Sequence, residues 1–124
     1  MATREQAQRP ILDLLQRLPR LPVTGSFDID FAAADAEHLV AIAEDAETIV
    51  SMLQLGVGAI GHLLAHSAVV VEDGTISADC IESLGFLIAE CGDFGAACLL
   101  LAMQCRRETS DYSVPSRPGS GSAS

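Results

Sequence analysis

Four cysteines and two histidines are the residues of this chain whose types and spacing could do chemistry. Cys91, Cys98 and Cys105 stand seven residues apart, Cys80 lies eleven before Cys91, and His62 and His66 are four apart. Thiolates and imidazoles at such intervals could hold a metal ion, exchange disulfides or merely pack. Seven residues of α-helix rise about 10.5 Å. That exceeds the Cα separation of about 7 Å that a disulfide tolerates. It also exceeds the reach of two Zn–S bonds of about 2.3 Å each. No C-x-x-C pair occurs, so the zinc-ribbon and thioredoxin signals are missing. At 100° per residue the four cysteines fall on one narrow stripe, where a small apolar thiol suits close helix packing. We therefore expect packing, with all four reduced and buried.

His62 and His66 share a helical face but lack the Glu that follows the first His in H-E-x-x-H enzymes. With Cys80, and Glu82 beside it, they make a weak candidate metal or redox site if the chain folds back around Gly74. No cofactor is expected. The chain has no G-x-S-x-G, no P-loop and no G-x-G-x-x-G, and the acidic pairs Glu44-Asp45 and Glu72-Asp73 read as solvated. An enzyme is not expected; the alternatives to an interaction protein are a small metal-binding or redox helical protein using His62, His66 and Cys80 and a structural bundle subunit of a larger complex.

Charge is the strongest compositional signal. The 124 residues carry a net charge of −10. All seven basic residues are Arg, and none falls between Arg20 and Arg106, a stretch holding thirteen carboxylates. Direct nucleic-acid binding is disfavoured, because phosphate contacts need Arg or Lys. A basic protein partner is the natural counterpart, with Asp35, Glu37, Glu44, Asp45 and Glu47 as its expected docking face and a DNA-binding protein as one form of it. In composition, though in no motif, the chain resembles small acidic inhibitors of the anti-restriction and anti-CRISPR type. That resemblance implies a nucleic-acid mimic.

These residues need elements to position them. Pro10, followed by Ile11, Leu14, Leu15 and Leu18 at helical spacing, predicts a short helix. Pro19 and Pro22 end it in a linker, and FDIDF reads as an extended lead-in with Asp30 as N-cap. From about Ala32 to Ser67 the series Leu39, Ile42, Ala46, Ile49, Leu53, Gly56, Ile60, Leu63 steps by three and four, the seam of helix-on-helix packing. Val69 to Ser77 is a loop or a small hairpin around Asp73-Gly74, after which Ser77 caps a last helix from about Ala78 to Arg107.

The expected fold is all-α: a short N-terminal helix packed on a hairpin of two long helices. The last helix is apolar on nearly every side, so a second copy should complete a bundle. The expected oligomer seam is Leu84, Ile88, Cys91, Gly95, Cys98 and Ala102. Residues 1–9 read as a flexible N-terminus, 10–108 as one domain, and 109–124 as a disordered Ser/Pro/Gly-rich tail. No signal peptide is visible, and Glu90 and Asp93 within the most apolar run argue against a membrane span. A cytoplasmic protein is expected.

Overall fold

Pro10 opens the first helix, where its missing N–H costs nothing, in a computed structural model that describes residues 8 to 112. This helix, α1, spans Pro10–Arg17 and tightens into a 3₁₀ turn at Leu18–Arg20. Of its apolar face only Leu14 is buried, with Leu18 partly so, while Ile11 and Leu15 are exposed.

The Pro-bounded linker is ordered rather than slack. Leu21 is buried, and Val23 pairs with Ile29 in a single antiparallel bridge. The loop between them closes through Thr24, whose N–H donates to the Asp28 carbonyl at 2.7 Å. Phe27, at its tip, has φ +67°.

Asp30 does cap, but it caps a 3₁₀ turn at Phe31–Ala33, accepting from Ala33 N–H at 3.2 Å. The long helix α2 starts only after Asp35 and spans Ala36–His66. A single helical turn, α3, follows at Ala68–Glu72. Asp73 then accepts from the Thr75 N–H at 2.9 Å and its hydroxyl at 2.5 Å. Gly74 takes φ +82°, a conformation open to glycine. The stretch from Val69 to Ser77 is thus a helix–loop connection with no paired strand. Ser77 caps the last helix, α4 (Ala78–Glu108), accepting from Cys80 N–H at 3.2 Å.

Thr109, placed in the tail by its sequence, is instead buried and donates its hydroxyl to the Cys105 carbonyl at 2.8 Å. The remainder of the expected N-terminal and tail segments, residues 1–7 and 113–124, lies outside the described residues.

The helices α2 and α4 pack antiparallel, α1 packs on α2, and the turn at Phe31–Ala33 packs on α4. The core gathers at one end of this hairpin, near the start of α2 and the end of α4: Leu14, Leu21, Leu39, Ile42, Ala43, Ala46, Ile49, Cys98, Ala102 and Cys105. We call this end proximal. Between Ile49 and Cys98 no residue is buried. The chain is mostly helix and, among the described residues, contains no strand beyond the bridge pair.

Candidate interaction surface

The heptad series of α2 meets the cysteine stripe of α4 inside one chain. Leu39, Ile42, Ala46 and Ile49 are buried against Cys98, Ala102 and Cys105. Gly95 lets the helices approach: a Cβ built there would stand 3.4 Å from Leu53 Cδ1. The residues expected to form an oligomer seam therefore line the contact with α2. Cys98 and Ala102 are buried, and Leu84, Ile88, Cys91 and Gly95 are half-buried.

The thiols divide along the same gradient. Burial pushes the Cys98 thiol up, and raises Cys105 to about 11 despite the lowering influence of Arg106. Cys91 is half-buried and Cys80 exposed, and all four are free. The expectation that all four are buried holds for Cys98 and Cys105, fails in part at Cys91, and fails fully at Cys80 for a geometric reason. The Leu53–Gly95 contact puts Cys80 level with the chain just beyond His66, where α2 has ended.

The two histidines are not brought to Cys80. Both are exposed on α2, and His66 Nδ1 is hydrogen-bonded to the His62 carbonyl at 2.8 Å. At 100° per residue they fall on the side of α2 turned away from the seam that faces α4. Among the described residues no group of three metal-ligating side chains occurs.

The expected acidic docking face is partly neutralised within the molecule. Asp45 is ion-paired with Arg17. Glu47 accepts a forked pair from Arg106, 3.2 Å from Nε and 2.7 Å from Nη2. That pairing pushes the Arg106 guanidinium up from its ordinary range. Folding thus lays the two basic ends of the chain over the start of α2. Asp35, Glu37 and Glu44 remain exposed.

Away from these arginines lies a second acidic array that the sequence reading did not single out. On α4, Asp79, Glu82, Glu90 and Asp93 stand at i−7, i−4, i+4 and i+7 from Phe86, on one helical stripe. All four are exposed, and none joins an ion pair among the described residues. Phe86 is 67% exposed at their centre, with Leu87 at 57%. Helical phase puts this stripe on the back of α4, turned away from α2, and puts Leu87 with Leu63 and Met52 of α2 on one flank of the seam. There Met52 lines an apolar recess with Ile11, Leu12 and Leu15 of α1. The α1 helix covers the proximal part of this side and stops, leaving the distal part bare.

The opposite side of the seam forms an open groove of about 510 Å³ between Val50, Leu53, Gln54 and Val57 of α2 and Ile88, Cys91, Gly92, Gly95, Ala96 and Leu99 of α4. Each long helix contains an 18-residue window apolar enough to cross a membrane, with mean hydropathy 1.6 and 1.8. Only 6% and 11% of those windows are buried, so most of this apolar surface has no partner inside the chain.

Comparison with protein-family models, with curated proteins and with solved structures yields no match.

Proposed function

We propose that this chain is a non-enzymatic interaction protein that self-associates, acts in the cytoplasm and engages a basic protein partner through the distal half of its hairpin. One observation carries the reading: from residue 50 to 97 nothing is buried, and no Arg or Lys is present. An apolar body of that size without a core of its own calls for a partner. The carboxylates around it favour a cationic one.

The arrangement suits a basic amphipathic helix laid against α4. Such a ligand would place apolar groups on Phe86 and Leu87 and cations on Asp79, Glu82, Glu90 and Asp93. A DNA imitation fits the stripe less well. At 1.5 Å per residue its carboxylates rise by about 4.5, 12 and 4.5 Å, without the regular repeat of a phosphate strand, and an aromatic ring interrupts them. The open groove of about 510 Å³ is lined almost wholly by apolar residues, which supports recognition over catalysis.

The test is calorimetric titration of the full chain with a Lys/Leu amphipathic helical peptide at low and high salt. Binding should weaken as salt rises, and should fall at least tenfold in the triple variant Glu82→Gln, Glu90→Gln, Asp93→Asn. A complex indifferent to both would overturn the reading. If duplex DNA competes with the chain for a natural DNA-binding partner, the mimic form is the correct one.

A further inference from the structure

We propose that a second copy of this chain docks on the groove side of the hairpin, burying Val57 and Gly61 of α2 and Gly85, Ile88, Gly92 and Leu99 of α4 in a two-fold four-helix layer. This assigns a surface to the self-association proposed above and rests on that reading.

Charge selects the side. Helical phase at 100° per residue places no charged residue on the groove side of α2 from Val50 to His66, or of α4 from Ile81 to Met103. Glu82 and Asp93 fall on the back of α4, turned away from α2, and Glu90 on the far flank. Two chains of net charge −10 can meet closely only where neither presents carboxylates to the other. A cationic ligand finds nothing to pair with on this surface. A second copy brings an identical uncharged surface, and a two-fold axis makes the pair self-complementary.

The glycines on this side are compatible with a close approach. Gly61, Gly85 and Gly92 stand in helix interiors, where glycine is unfavourable relative to alanine. Each faces open space: a Cβ built on any of them meets nothing within 4 Å, as is also true of Gly56 and Gly58 off the groove. Packing within the chain does not require them, whereas a helix crossing closely over the groove would.

The size is adequate. From Ile81 to Met103 the surface runs about 33 Å at 1.5 Å per residue, and two helices at 8–10 Å spacing make it about 18 Å wide. That is roughly 600 Å² per copy and 1,200 Å² in total, the lower bound of a specific stable interface. At its proximal end the Glu47–Arg106 pair marks where the uncharged strip stops.

Sedimentation of the full chain at micromolar concentration should give twice the 13.0 kDa chain mass. Gly92→Leu should raise the dimer dissociation constant at least tenfold. Its own helix should remain intact by circular dichroism, since a Cβ at this position meets nothing within 4 Å in one chain. Leu63→Ser, on the flank opposite the groove, should leave the dimer unchanged. A wild-type monomer overturns self-association altogether, and so does a monomer that floats with neutral phosphatidylcholine vesicles, which would make lipid the occupant. A wild-type dimer that survives Gly92→Leu overturns only the surface assigned here.

Discussion

Arg106 on α4 grips Glu47 on α2 through two hydrogen bonds, 3.2 Å from Nε and 2.7 Å from Nη2, across 59 positions of sequence. The pair joins the last turn of one long helix to a point about three turns into the other, beside the core. Both side chains are nearly half exposed, so the coupling should be modest. A double-mutant cycle with Arg106→Gln and Glu47→Gln, read by urea denaturation, should return under about 1 kcal/mol. Its larger effect should be on charge: removing Arg106 exposes another carboxylate at the proximal end.

Stability should be concentrated at that end. Ile49→Ala removes a fully buried side chain from a small core and should cost about 2–4 kcal/mol. Leu63→Ala, at a position 71% exposed, should change stability by less than about 0.5 kcal/mol. Equal costs at the two sites would mean that the distal side around Leu63 is covered in solution as well as the proximal end.

Much of this layout was legible from residue spacing. The steps of three and four from Leu39 to Leu53 and the cysteine stripe of α4 each specify one side of a helix, and those sides do meet. Ser77 was readable as a cap because a side-chain oxygen three residues before a backbone N–H is a local relationship. Leu21 was not readable as buried, because its cover depends on where α1 lies. The pairings of Arg17 with Asp45 and of Arg106 with Glu47 span 28 and 59 positions and have no local signal. The seam assigned to a second copy turned out to be the contact with α2 for a similar reason. A helix apolar on nearly every side does not announce which side its own chain will use. The array around Phe86 could have been found from its i±4 and i±7 spacing.

The thiols should react in the order of their exposure. A maleimide reagent near neutral pH should label Cys80 fastest, Cys91 more slowly, and Cys98 and Cys105 only on unfolding. Labelling of Cys105 in the native protein at a rate matching Cys80 would contradict the burial described.

Alkaline stability follows from the same burial. The Cys105 thiol is held neutral in the folded chain, its pKa raised from about 9 to about 11. The unfolded state therefore ionises first as pH climbs. The stabilisation is full below pH about 9 and is lost between about 9 and about 11. Urea midpoints measured across this window should fall, and Cys105→Ala should flatten part of that fall.

Phe27 combines an exposed ring, 87% accessible, with φ +67°, a backbone conformation that disfavours a bulky side chain and costs on the order of 1 kcal/mol. Phe27→Gly relieves that conformation and should leave thermal stability unchanged or slightly higher. A clear loss of stability would mean that the ring is packed against something in solution.

On the function proposed here, the distal hairpin is covered in the working protein. Amide hydrogen exchange on the full chain, followed by mass spectrometry over a dilution series, tests it most directly. Peptides from residues 50 to 97 should be protected at high concentration and lose that protection on dilution, while those from 39 to 49 stay slow throughout. Distal peptides that exchange fast at every concentration, and are unaffected by a cationic amphipathic peptide, would mean that neither a second copy nor a basic partner covers this half of the hairpin.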